Sequence, residues 1–267
     1  MKPRKIIGIL GGLGPYAHLD LERKLLRAAR ELAGAARDQD FPEWIVSSVP
    51  QTPDRTAAIR GAGPSPLPAL VRSLRRLEAH TTAAGETVPG ADFVIIPCNT
   101  AHHYLADLRR VTELPLVDMI GEVAAELGRG LAKGSRIGLL ATTGTLEGGL
   151  YHRALAERGL EGRSLLEAPR GEELQRRLVM EAIYGPLEDG RHAGGGLKSG
   201  GATEEARARL LRAAETLVAE LGCRALVAGC TEVPLALPDA EVAGVPLVDP
   251  VAVLARVAVA RAYGLPG

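Results

Sequence analysis

Short segments of this 267-residue chain recur at nearly one spacing. IGIL at 7–10 returns as IGLL at 137–140, an offset of 130, and PLVDMI at 115–120 returns as PLVDPV at 246–251, an offset of 131. Cys98, in IIPCNTAHHY, is matched by Cys230, in LVAGCTEVPLAL, at an offset of 132. Each anchor is short, but three at almost the same offset describe a duplicated unit of ordinary domain size. That constrains the fold more than any other feature. The expected class is α/β: two similar domains with parallel sheets, related by a pseudo-two-fold, with the site in the interdomain cleft. The expected boundaries are 1–118 for the first domain and 119–249 for the second, with the last helix, 250–267, packing back on the first.

Period and punctuation agree with the repeat. KIIGILGG (5–12), WIVSSV (44–49), ADFVIIP (91–97) and PLVDMI (115–120) read as strands. Helical spacing follows over 16–36, 54–62, 67–80 and about 100–110. Strands alternating with helices at this spacing predict parallel sheets covered on both faces. Hydrophobic residues make up 46% of the chain and aromatics only 3%, so the core is built from small aliphatic side chains. The 32 basic and 32 acidic residues cancel, which argues against nucleic acid or an anionic membrane as partner. The basic start MKPRKIIGILGGLG has its apolar run broken by glycines, and no stretch is long enough to span a bilayer. A cytoplasmic protein with reduced thiols at Cys98, Cys223 and Cys230 is expected.

GLGPYA (12–17) fits the form of a dinucleotide fingerprint. The second strand, however, carries serines where the ribose-binding acid belongs, and Pro15 removes an N–H that a pyrophosphate would use. A nicotinamide cofactor is not expected. Taken singly, each cysteine reads as a small core residue. Cys98-Asn99-Thr100 and Cys230-Thr231-Glu232 differ in placing a thiol at a strand-to-helix junction, where helix N–H groups favour a thiolate. Ligands bind beyond the carboxyl ends of such strands. Two duplicated halves would turn both thiols toward one cleft, as inversion of a carbon acid by one base and one acid requires. Zinc is the competing use of Cys98 with His102 and His103, but Cys230 has no nearby His. No metal is expected.

Taken together, IGILGGLGP, QTPDRT, PCNTAH, GLLATTGT, IYGP…GLKSG and GCTEVPL resemble the aspartate/glutamate racemase family, especially its aspartate-racemase-like branch. The resemblance spans essentially the whole chain in the family's order. It implies racemisation of an acidic amino acid, aspartate first and glutamate second, without pyridoxal phosphate or other cofactor, with Cys98 and Cys230 as the proton-transfer pair. It further implies that Arg55 binds a substrate carboxylate, an Arg fork suiting a carboxylate well, and that Lys198 helps bind the acidic substrate. Asn99, Thr100, Thr231, Thr142 and Thr145 are implied to hydrogen-bond the α-carboxylate and amino group, with Glu232 beside them; caps and turn residues are the alternative, most of all for Thr145 and Glu232. A homodimer is also implied. The sequence departs from the family at Tyr16 and His18 in the glycine loop. It also lengthens at 80–90, which reads as a surface excursion, and at 187–196, a glycine-rich stretch that could act as a lid carrying Lys198. Maleate isomerase, arylmalonate decarboxylase and hydantoin racemase chemistry, or plain binding of a small anion, are the rival readings.

Overall fold

A computed structural model describes residues 2–188, 191–192, 194–200 and 204–266 of the chain. Two compact units are present: Met1–Met119 with Val251–Gly267, and Ile120–Pro250.

The first unit runs β1 (Ile7–Gly11), α1 (Pro15–Ala33), β2 (Trp44–Ser48), α2 (Arg55–Ile59), α3 (Leu67–Arg75), β3 (His80–Thr81), β4 (Thr87–Val88), β5 (Phe93–Ile95) and α4 (Leu105–Arg109). Every residue of β1 is buried, as an apolar run at the centre of a parallel sheet requires. It pairs in parallel with β2 on one side and β5 on the other. Leu116 adds a fourth parallel position through a bridge to Val94. α1 starts on Pro15 and ends at Gly34, which takes the left-handed cap conformation. Its buried residues Ala17, His18, Leu21, Leu25, Ala28 and Ala29 recur at helical spacing.

Three local expectations change. Helix α3 stops at Arg75 instead of reaching 80. The excursion over 80–90 contains an exposed antiparallel hairpin, β3 with β4. The strand expected over 115–120 shrinks to the bridge at Leu116, because a helix begins at Met119.

The second unit takes up most of α5 (Met119–Gly130) and continues through β6 (Arg136–Leu139), α6 (Thr143–Glu147), α7 (Leu150–Ala156), β7 (Glu161–Arg163) and α8 (Gly171–Leu174). A π-helical turn, Gln175–Met180, leads into α9 (Glu181–Tyr184). There follow β8 (Leu187–Glu188), β9 (Arg191–His192), α10 (Glu204–Ala219), β10 (Ala225–Val227), α11 (Val233–Ala236), β11 (Glu241–Val242), β12 (Val245–Val248) and α12 (Pro250–Tyr263). The sheet order is β11-β12-β10-β6-β7, parallel apart from the β11 edge. In the glycine-rich stretch 187–196, β8 and β9 form a hairpin, while residues 189, 190 and 193 lie outside the described residues. Residues of α12 from Val251 onward belong to the first unit, where the Arg4 N–H donates to the Ala262 carbonyl at 2.7 Å and the Tyr263 hydroxyl to the Asp40 carbonyl.

The two sheets share one plan. In each, the first strand (β1 or β6) lies between the second (β2 or β7) and the third (β5 or β10), and a fourth parallel partner follows the third. The chain thus reverses its winding direction beside the first and third strands, where open α/β sheets bind ligands. Cys98 follows β5 and Cys230 follows β10, so each thiol lies just past that switch point in its own unit.

Candidate active site

In the first unit, β5 passes through Ile96 and Pro97 into Cys98, which is 4% exposed. Asn99 and Thr100 are also buried, Thr100 opening a 3-10 turn over Thr100–Tyr104. His102, 5% exposed, ties this turn down. Its Nδ1 donates to the Cys98 carbonyl at 2.9 Å, and its Nε2 accepts the Met119 N–H at 3.2 Å. This pairing fixes the neutral Nδ1–H tautomer. Burial pushes the His102 pKa down, against smaller opposing contributions from the bond to the Cys98 carbonyl and from Asp118. Both nitrogens are therefore engaged by backbone. His102, considered above as a metal ligand, instead sets the position of the cysteine turn.

Arg55 lies buried at the start of α2. Its guanidinium donates to the carbonyls of Leu13 at 2.8 Å, Pro53 at 3.3 Å and Thr52 at 3.4 Å. The glycine loop after β1 and the loop after β2 thus both hold the fork. Arg55 also acts electrostatically on Tyr104, at the far end of the cysteine turn, although burial dominates there and raises the Tyr104 pKa. Of the two departures in the glycine loop, His18 is buried and accepts the Gly12 N–H on Nδ1 at 3.3 Å, whereas Tyr16 is exposed.

The second unit holds a connected polar cluster. The Cys230 thiol donates to Glu232 Oε2 at 2.9 Å, and the Thr231 hydroxyl donates to the same oxygen at 3.2 Å. Lys198 Nζ donates to Glu232 Oε1 at 2.7 Å. Glu232 is 1% exposed, so its charge depends on these donors. Burial works to raise the Glu232 pKa, but the Lys198 charge and the hydrogen bonds outweigh it and leave it lowered. Cys230 moves the other way. Burial, then the Glu232 charge, push it well above the usual thiol value, with Lys198 opposing. The sequence suggested a helix terminus favouring a thiolate here, but α11 is only four residues long and the nearest charge is a carboxylate. The thiol form of Cys230 is the stable one.

Lys198 sits on a short turn, Leu197–Ser199, with its ammonium 5.6 Å from the centroid of the Tyr184 ring. That ring stacks on His192 of β9 at 5.1 Å. Thr142 and Thr145 are both buried after β6, their hydroxyls 3.1 Å apart. The loop that carries them packs beside Cys230: a Cβ placed on Gly229 would come within 2.7 Å of the Ala141 Cβ. Residues absent from the sequence reading are Gln175, whose Nε2 donates to the Ala141 carbonyl at 2.8 Å, and Met180, whose sulfur accepts the Thr143 N–H at 3.3 Å. Cys223, buried before β10, has its pKa pushed up to about 11, chiefly by burial, and belongs to the core.

Two α/β units of one topology, each ending its third strand in a buried cysteine flanked by hydrogen-bonding side chains, define a class built by duplication around strand-end thiols. The chain belongs to the Asp/Glu/Hydantoin racemase family, whose sequence model matches residues 10–258. It is 28% identical over 157 residues to the broad specificity amino-acid racemase RacX of Bacillus subtilis, covering 58% of this chain and 63% of that one. It is 31% identical over 166 residues to a glutamate racemase of Roseiflexus, covering 61% and 53%. The chain thus spans between half and two thirds of the length of these relatives. Among solved structures it resembles the Picrophilus torridus aspartate racemase, at a TM-score of 0.73 and 25% identity over 98% of this chain and 95% of that one. An aspartate racemase homologue from Pyrococcus horikoshii gives 0.65 and 26% over 97% and 99%. Among the described residues no helix is long and apolar enough to cross a membrane.

Proposed function

We propose that this chain racemises an acidic amino acid, aspartate before glutamate, by direct proton transfer at Cα between Cys98 and Cys230. The observation that carries the reading is the placement of one buried cysteine past the third strand of each unit, at the switch point where such sheets bind ligands. In this scheme a Cys98 thiolate removes the Cα proton and the bonding pair moves toward the α-carboxylate. The Cys230 thiol then delivers its proton to the opposite face. The reverse reaction runs from the state this leaves, Cys230 thiolate and Cys98 thiol. Where Cys230 starts protonated, Glu232, already accepting its S–H in a hydrogen bond, is placed to receive the proton while Cys98 takes one up from solvent.

Arg55 is the proposed receptor for a substrate carboxylate, its fork oriented by three backbone carbonyls. Asn99, Thr100, Thr142, Thr145 and Thr231 are proposed to hydrogen-bond the amino group and the α-carboxylate, on which charge builds. Lys198 serves Glu232 first and, through its remaining donors, the substrate. The likeness to a broad specificity racemase supports a second reading, in which the side-chain pocket accepts several amino acids.

The test is incubation of the purified chain, free of pyridoxal phosphate, with single enantiomers in deuterated water. Aspartate should racemise and take up deuterium at Cα, and Cys98→Ala and Cys230→Ala should each abolish racemisation. Unchanged racemisation in either variant would remove the two-thiol scheme. Turnover across a panel of amino acids distinguishes the narrow reading from the broad one.

A further inference from the structure

The loop after β6 is held by one turn of an unusual helix. Gln175 and Met180 open and close the π-helical turn, and both reach that loop, Gln175 at the Ala141 carbonyl and Met180 at the Thr143 N–H. In an α-helix, residues five apart lie about 140° apart around the axis and could not both face one loop. Bonding from i to i+5 widens the turn and brings them onto one side, and such turns are frequent at functional sites.

Gln175 is 2% exposed. Its amide orientation is fixed, because only the NH2 arm can face the Ala141 carbonyl. The other arm, Oε1, is buried and has no hydrogen-bond partner among the described residues. A buried acceptor left in this state is costly and calls for an explanation. Its surroundings supply one. Ala141 packs against Gly229, the residue before Cys230, and Thr142 and Thr145 follow on the same loop. The amide that bears the unmatched oxygen is thus anchored to the loop that packs on the strand end just before Cys230.

We infer that Gln175 is a specificity residue whose Oε1 accepts a hydrogen bond from the α-amino group of the bound substrate. The assignment rests on the racemase reading and extends it. Cysteine chemistry alone does not require an amine on the carbon, and an amide oxygen can only accept, so Oε1 suits the amino group and not the carboxylate. A dicarboxylate without an amino group would leave Oε1 unsatisfied, so the site discriminates against it.

The experiment pairs a change in the ligand with a change in the protein. Calorimetry measures binding of racemic aspartate and of succinate, its counterpart lacking the amine, to the wild type and to Gln175→Met, which keeps side-chain length but has no amide. The wild type should favour aspartate by about tenfold or more, and the variant should lose most of that preference. A purely structural role would weaken both ligands by one factor and keep the ratio, which would overturn the inference, as would a wild type with no preference for aspartate. Turnover leaves a racemic ligand unchanged in composition, so binding is read independently of racemisation and the outcomes separate. A collapsed ratio in a protein that racemises nothing keeps Gln175 and sinks the racemase reading. A preserved ratio in an active racemase does the reverse.

Discussion

The Cys230 thiol donates to Glu232 Oε2 at 2.9 Å, and the carboxylate is itself held by Lys198 at 2.7 Å. A thiol beside a buried negative charge resists ionisation, and here burial and Glu232 both act in that direction. Replacing Glu232 by Gln removes the charge and leaves Lys198 to favour the thiolate. Cys230 should then ionise at lower pH than in the wild type. Thiolate ultraviolet absorbance, followed against pH in a background with Cys98 and Cys223 changed to Ser, measures this. An unmoved or raised midpoint would show that Glu232 does not control the thiol.

Lys198 stabilises the fold through the same carboxylate. In the wild type the Glu232 pKa is lowered, so its contribution to stability is present above the ordinary carboxylate value and fades as pH falls through the lower folded value. Lys198→Met removes the main opposing charge and leaves burial to raise the Glu232 pKa. The sign then reverses, and stability is lost as pH rises past the ordinary carboxylate range. At neutral pH the variant should be weaker by about 2–4 kcal/mol, less than a fully buried pair because the Lys side chain remains 18% exposed. Denaturant unfolding at several pH values between acid and neutral checks both sign and size.

The duplication, the parallel sheets and both strand-end thiols were legible because they rest on apolar runs and on anchors that repeat. β1 is buried throughout and β6 is buried after its exposed first residue, Arg136, and Cys98 and Cys230 lie at almost the same offset as they do. What the sequence does not display is who bonds to whom. Glu232 read equally well as a cap or a substrate ligand, and only the fold brings Lys198, 34 positions away, onto it. Gln175 carried no signal at all, since QRRLVM has nothing that marks a π turn. His102 drew attention through its spacing from Cys98, a metal-like pattern that the chain uses to join a carbonyl to an amide.

That His102 bridge gives a pH prediction of its own. Because burial lowers its pKa, the unfolded chain binds the proton more readily, so its contribution to stability falls as pH drops below about 6.5. His102→Gln removes this titration. It should flatten the stability profile between about pH 5 and 7 relative to the wild type, His18 and His152 contributing equally to both proteins. Ala at this position opens a cavity and leaves the Met119 N–H unmatched, a loss of about 2–4 kcal/mol at neutral pH. Parallel profiles for the wild type and the Gln variant would exclude a buried neutral His102.

Gly12 sets the backbone at the mouth of the first unit. It takes φ +83, and a Cβ there would lie 2.4 Å from the Val49 nitrogen, with Pro50 nitrogen at 2.8 Å. These are backbone atoms of the loop after β2, so no side chain can swing aside to make room. That loop continues through Thr52 and Pro53, whose carbonyls hold the Arg55 guanidinium, and Leu13, next to Gly12, supplies the third. Gly12→Ala therefore forces apart two segments that converge on one fork. Positive-φ strain and overpacking together should cost about 3 kcal/mol or more. The displaced fork should also weaken carboxylate binding, seen as a raised KM for aspartate with a smaller change in kcat. A variant with wild-type stability would show that the loop after β2 yields readily, and that Arg55 is positioned by something other than these carbonyls.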